Sequence, residues 1–414
     1  MDQAIAVIDA GKTRTKLSLW SGGQLVRQLD RLNAPVVRDG VTQLDLTGIH
    51  DWLIASLADF ASGAKIGAVV PTGHGAAAVL MEGETAVAAL DYETPVPADV
   101  AAAYERERDP FEATLSPRLA DGLNLGAQLY WLEQLYPRTW PERGEALLWP
   151  QYWAFVLSGV RASEVTSLGC HSDLWRPLEG QFSKLAIRRG WAERLGALRH
   201  AAAMLGPVRA SIAAATGLSH DCRVYCGVHD SNAALYASRG LPELSTGPFS
   251  VVSTGTWFIC LNAGGSRPPR YDPAEDMLAN VDVDGRPTPT ARFMGGRDYE
   301  AWMGEAMGAA SDVTLLGAAS DLVYAQDSEP GLRATWAAVE LAKRADRALS
   351  LVEAEGPILI EGRFAEDAAF GEALARLRPS QTVYRSTLAD GVALGAMRLA
   401  VGAEFQPPPL QPIG

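Results

Sequence analysis

Two stretches in opposite halves of the chain open in the same way, and a chain that repeats its opening is constrained to build two like halves. Ala4 to Ile8 reads as a buried strand. A glycine turn at Gly11, a second strand from Thr15 to Trp20, the pair Gly22-Gly23 and a β-prone run from Gln24 to Leu29 follow. Two glycines between β-prone runs signal a hairpin, so three antiparallel strands are expected at the start. Past the midpoint Phe249 to Ser253 is again strand-like, Thr254-Gly255-Thr256 is a small-residue turn, Trp257 to Asn262 is β-prone and Gly264-Gly265 closes the run. The repetition predicts a duplicated architecture with a cleft between the halves. Gly, Pro and Ser cluster between Gly240 and Gly247, which places the boundary there. Gly-rich hairpins also recur by chance, so the chemistry has to be read from the residues themselves.

A chain of 414 residues is long enough for two domains. Its formal net charge of −13 argues against nucleic-acid or anionic-membrane partners, which need a basic footprint. A small neutral substrate suits that surface better. Of the four cysteines (Cys170, Cys222, Cys226, Cys260), Cys222 and Cys226 lie four apart with no second pair at zinc spacing, so all four read as reduced structural thiols. The N-terminal apolar stretch is cut by Asp9 and Lys12, and no apolar run reaches about 18 residues, so a cytoplasmic location is expected. After the opening strands, Ile49, Trp52, Leu53, Leu57 and Phe60 recur at helical spacing, and a strand from Lys65 to Val70 is expected to end at Pro71.

Two segments carry chemistry. Asp9-Ala10-Gly11-Lys12-Thr13-Arg14-Thr15-Lys16 ends a strand with a carboxylate beside a glycine turn, hydroxyls and lysines. Such a turn holds a hydrated magnesium ion while backbone N–H groups and Thr13 approach phosphate oxygens, or it is simply a polar hairpin turn. Gly11-Lys12-Thr13 also looks like the tail of a Walker A loop. That reading fails twice, because Ala6 stands where the loop needs Gly and β-prone residues follow where it needs a helix. In Gly227-Val228-His229-Asp230-Ser231-Asn232-Ala233-Ala234, a strand from Arg223 to Cys226 leads through a glycine turn into an Ala-rich helix. Asp230 sits at the helix N-terminus, where it is a catalytic carboxylate or an ordinary N-cap. His229 reads as a packing or hydrogen-bonding residue.

Taken in order, these segments and several weaker ones resemble the FGGY carbohydrate kinases of the actin-like ATPase superfamily. Asp9 to Lys16 is similar to the family's first phosphate motif, Thr72-Gly73-His74-Gly75 to its sugar-site element, Gly227 to Ala234 to its Gly-x-x-Asp segment and Ser253 to Thr256 to its second phosphate motif. Phe293 to Tyr299 falls where the family has a Gly-rich nucleotide segment, Leu359 to Glu366 at the adenosine motif and Gly391 to Ala400 at the closing Gly-Ala helix. There are departures. Lys12 stands where many members carry a small hydroxyl residue, Glu361-Gly362-Arg363-Phe364 replaces a run of glycines, and Asp91-Tyr92-Glu93-Thr94 lacks the usual downstream Arg.

The resemblance implies an α/β fold of two actin-like (ribonuclease H-like) domains, residues 1–242 and 243–414, with nucleotide and sugar in a cleft between them. It implies ATP and Mg²⁺, with phosphates and nucleotide held by Gly11, Lys12, Thr13, Lys16, Thr254, Gly255, Thr256, Gly295, Gly296, Gly362, Arg363 and Phe364, the last two either contacting adenine or simply packing a helix start. Asp9 and Asp230 would hold magnesium, and Asp230 would be the general base. His74, Gly75 and Asp230 would meet the sugar, with Gln128 and Asn232 added on neighbourhood alone; Gln128 reads more readily as solvent-facing, and Trp131 and Trp153 as core. The implied activity is phosphorylation of a hydroxyl of a ketose or polyol, leaning towards the rhamnulose and fuculose kinases, with a homodimer among the implied assemblies. A non-catalytic sugar or nucleotide sensor of the same fold is the alternative. A serine hydrolase is a poorer one, since Val251 stands where a nucleophile elbow needs Gly.

Overall fold

The computed structural model describes residues 3–140, 144–323, 325, 327–402, 407 and 409–413. The chain forms two compact units. One is Met1–Ser238 with Ala279–Pro287 and Asp390–Gln406; the other is Arg239–Leu278 with Thr288–Ala389 and Pro407–Gly414.

In the first unit the strand Ala4–Ala10 lies between Arg14–Ser21, to which it is antiparallel, and Ile66–Gly73, to which it is parallel. Arg14–Ser21 continues into Gln24–Leu32 through Gly22 and Gly23, both at positive φ (54° and 77°), the backbone a two-residue hairpin turn demands. Arg223–Tyr225 and then Met204–Pro207 extend the other side. Ala4–Ala10 is buried along nearly its whole length, which is why it reads as a continuous apolar run and not as an alternating strand. The helix Leu46–Gly63 starts at Asp45, whose side chain accepts the Gly48 N–H at 2.8 Å, and it buries Ile49, Leu53, Leu57 and Phe60 as the spacing predicts.

One expected boundary is corrected. The strand expected to stop at Pro71 runs on to Gly73. Its neighbour is interrupted opposite the proline: Arg223–Tyr225 pairs with Ala68 and Val69, Val228–His229 with Thr72 and Gly73, and none of the described residues pairs with Pro71 on that side. A residue without an N–H is tolerated in a strand where the ladder already lapses. That same interruption turns the chain so that Asp230 follows directly on a sheet edge.

The second unit repeats the plan. Phe249–Thr254 lies between its antiparallel hairpin partner Phe258–Ala263 and the parallel strand Ile358–Gly362, and Phe258–Ala263 pairs on with Pro287–Phe293. Val383–Arg385 and Gln411–Ile413 complete the opposite side. Phe258, Phe364 and Phe370 fill its core together with the long helix Pro330–Leu351. Among the described residues no helix is long and apolar enough to cross a membrane, and the four cysteines are buried and form no disulfide with one another.

Candidate active site

Asp9 and Lys16 are register partners across the first hairpin, with Lys16 Nζ 3.8 Å from Asp9 Oδ2 and 3.7 Å from Asp390 Oδ2. Asp390 caps the helix Gly391–Val401, accepting the Ala393 N–H at 3.0 Å. Burial, and then the charge of Asp230, push the Asp9 carboxyl up to about 7; Lys16 opposes this and Asp390 adds to it. Three carboxylates thus share one neighbourhood with a single ammonium, an arrangement that a further cation would relieve. The turn itself is clamped by Asn33, whose Nδ2 donates to the Gly11 carbonyl at 2.8 Å and the Lys12 carbonyl at 3.3 Å and whose N–H donates to the Thr13 carbonyl at 2.8 Å. Thr13 is left exposed. Lys12, expected beside Thr13 at the phosphates, is instead held by Asp91 at 3.0 Å and Glu93 at 2.7 Å.

Asp230 opens the helix Asp230–Ser238, and its Oδ1 accepts the Ser231 N–H at 2.5 Å and lies 3.2 Å from His229 Nε2. Asn232 Nδ2 is 3.1 Å from His229 Nδ1. An amide donating to Nδ1 leaves the ring proton on Nε2, facing the Asp230 carboxylate. Burial keeps His229 neutral by lowering its pKa. Asn232, expected at the sugar, therefore supports His229. Gly75 packs against the same ring: a Cβ there would lie 2.8 Å from Cys170 Sγ and 3.1 Å from His229 Cδ2.

His74 follows the strand Ile66–Gly73 and packs against Tyr92 and Trp149, with centroids 5.4 and 5.7 Å away. It is only 9% exposed, and neither ring nitrogen has a hydrogen-bond partner among the described residues. Burial drives its pKa down to about 4, with the charge of Asp230 acting in the opposite sense. A buried imidazole with both nitrogens unsatisfied is unfavourable unless a ligand completes it.

Behind His229 lies Glu164. The His229 N–H donates to Thr166 Oγ1 at 3.0 Å, and Thr166 Oγ1 and the Thr166 and Ser167 N–H groups donate to Glu164 Oε2. Burial pushes Glu164 from 4.5 up to about 7, against the pull of those hydrogen bonds. A folded-state pKa raised above the unfolded value means that the stabilisation is complete below about pH 4.5 and is lost as pH rises through about 7. Glu164→Gln, which mimics the protonated acid, should remove that slope. Between pH 5 and pH 8 the wild type should lose stability relative to the variant by at most about 3 kcal/mol, measured by urea unfolding at both pH values; parallel pH profiles would show that Glu164 does not titrate there.

Within the second unit, three separate sequence segments converge. Thr254 Oγ1 donates to the Glu361 carbonyl at 2.6 Å and accepts the Phe364 N–H at 2.8 Å, which ties the end of Phe249–Thr254 to the turn after Ile358–Gly362. The Gly296 N–H donates to the Thr256 carbonyl at 3.1 Å, so the helix Gly295–Met303 begins against the exposed Gly255-Thr256 turn. Arg363 lies over Tyr299 and pairs with Glu300. Of the two roles expected for Phe364, the ring takes packing and not a contact with adenine: it is core, packed on Phe258, Tyr299 and Phe370, so only its backbone faces the turn.

Gln128 is a correction. It is buried, not solvent-facing, and its Nε2 donates to the Ala76 carbonyl at 2.8 Å and the Gly122 carbonyl at 2.5 Å, pinning the loop after His74. Trp131 and Trp153 are core, as expected. Three residues escaped the sequence reading. Asp390 carried a signal, an Asp immediately before a Gly-Ala helix. Asn33 and Trp149 carried none, although Trp149 Nε1 donates to the Ala10 carbonyl at 2.7 Å.

The description "Carbohydrate kinase FGGY, C-terminal domain" fits residues 246–322 and 316–408. The chain is 39% identical to a carbohydrate kinase from Novosphingobium aromaticivorans, with 99% of this chain and 96% of that one covered and a TM-score of 0.93. It is similar in fold to a ligand-bound xylulose kinase from Lactobacillus acidophilus (14% identity, 97% and 89% covered, TM-score 0.75). The same holds for a Plasmodium falciparum glycerol kinase with ADP (12% identity, 97% and 90% covered, TM-score 0.75). No curated protein sequence matches. The two like units are thus actin-like domains of the kind these kinases share.

Proposed function

The chain belongs to the FGGY carbohydrate kinase family, and we propose that it transfers the γ-phosphoryl group of ATP to a hydroxyl of a small sugar or polyol, with Asp230 as general base. The observation that carries this reading is the meeting, in one unit, of Asp230 with the buried, unpartnered His74 and with the Asp9–Lys16 turn.

Phosphoryl transfer asks a protein chiefly for positioning and charge neutralisation. In this reading His74 offers a hydrogen bond to the acceptor, and Asp230 accepts the hydroxyl proton as the oxygen bonds to phosphorus and ADP leaves. His229, neutral and donating from Nε2, keeps the Asp230 carboxylate oriented. Lys16, Gly11 and Thr13 receive phosphate oxygens; from the second unit, Thr254, Gly255, Thr256, Gly295, Gly296, Gly362 and Arg363 are assigned to the nucleotide. The 1–242 and 243–414 division of labour is part of the same proposal.

Among the described residues no three His, Cys, Asp or Glu side chains converge to bind a metal directly. The under-neutralised carboxylates of Asp9 and Asp230 fit a hydrated magnesium ion, held through its waters. When bound, that ion supplies positive charge to the transferring phosphoryl group. Asp9→Ala should therefore lower turnover most at low magnesium and leave sugar affinity nearly unchanged; equal losses of both would remove Asp9 from the metal. The activity itself is tested by coupled ADP release with Mg-ATP against ketoses, aldoses and polyols. ADP release that depends on the acceptor supports the proposal; release indifferent to every acceptor refutes it.

A further inference from the structure

We propose that Lys12, Asp91 and Glu93 form the acceptor-recognition group of this enzyme, selecting neutral polyhydroxy acceptors and rejecting sugar acids; this rests on the kinase reading above. The three residues line a cavity of about 420 Å³ within the first unit, the size of a small-molecule site, whose wall also includes Trp149. Trp149 and Tyr92, the neighbour of Asp91, pack on the His74 ring, and Lys12 and Asp91 act on it electrostatically, so the three residues and one wall of the cavity adjoin the surroundings of that imidazole.

The two lysines of the turn have separate duties. Lys16 reaches Asp9 and Asp390. Lys12 points the other way, over the Tyr92 ring at 5.2 Å and between the two carboxylates. Asp91 is fixed in turn, being 4% exposed with its Oδ1 also accepting the Glu93 N–H at 3.0 Å. An ammonium with two of its donors committed has one left for a hydroxyl oxygen, and the carboxylates retain lone pairs for hydroxyl protons. The group carries one positive and two negative charges. A polyol meets complementary donors and acceptors there; a carboxylate meets a net negative wall.

The test uses the full chain with Mg-ATP, with xylulose and glycerol as neutral probes and gluconate as the anionic one. For the wild type, kcat/KM for the better neutral probe should exceed that for gluconate by roughly 10²-fold or more. Glu93→Gln, at a side chain 67% exposed and so harmless to the fold, should raise the neutral acceptor KM and narrow that ratio about tenfold, with the KM for ATP unchanged. Lys12→Met should raise the acceptor KM about tenfold in the same way, checked against a melting curve. Gluconate used as well as the neutral probes overturns the proposal, as do variants that shift only the KM for ATP. If no probe releases ADP, the kinase reading fails on its own. Calorimetric binding of the three probes then decides the present one, with preference for the neutral probes supporting it and equal or absent binding overturning it.

Discussion

Asp230→Asn should lower turnover by roughly 10² to 10⁴, the range that general-base catalysis supplies. The substitution keeps the size of the side chain and lets Asn Oδ1 go on accepting the Ser231 N–H and facing His229 Nε2, so the helix start is preserved. Acceptor and ATP affinities should change little, because only the proton acceptor is lost. A plain helix cap would respond otherwise, since Asn caps about as well as Asp and the change would be almost silent in rate. Rate and melting temperature measured on one sample separate the two: a folded protein of near wild-type activity would take Asp230 out of the mechanism.

Gly395→Ala should be the most damaging single-carbon change in the first unit. Gly395 lies in the helix Gly391–Val401, and a Cβ there would sit 1.7 Å from the Ala233 carbonyl oxygen, on the helix that Asp230 opens. A backbone carbonyl cannot rotate away like a side chain, so the two helices must part. Overpacking of this kind costs about 1–3 kcal/mol, more than the roughly 1 kcal/mol that alanine gains over glycine in a helix. Displacing Asp230 by about 1 Å should also lower kcat by on the order of 10². Thermal unfolding and turnover check both halves; unchanged values in each would mean that the helix contact does not position Asp230.

The outcome of the sequence reading follows the distance over which each signal acts. The opening hairpin and the Asp9 turn were legible because a glycine pair between β-prone runs is a local instruction, and the repeat near Phe249 extended the inference to a second like unit. The helix at Leu46–Gly63 was legible from spacing alone. Pro71 misled because its missing N–H matters only where a partner strand exists, and the gap between Tyr225 and Val228 that excuses it lies far along the chain. Gln128 looked solvent-facing because its helix is buried around most of its circumference, so periodicity gives no polar face to read. Lys12 adjoins Thr13 in sequence, but its direction is set by Asp91 and Glu93. Asn33 and Trp149 act through backbone carbonyls of the Asp9 segment, and nothing in their own neighbourhoods announces it.

Transfer to a sugar hydroxyl is distinguished from hydrolysis by ³¹P NMR of the products. The full chain is incubated with Mg-ATP and the best acceptor from the ADP-release panel, in parallel with Asp230→Asn. A new phosphomonoester resonance should grow in step with ADP for the wild type and be nearly absent for the variant. ADP accompanied by inorganic phosphate alone, or a phosphomonoester formed equally well by Asp230→Asn, would contradict it.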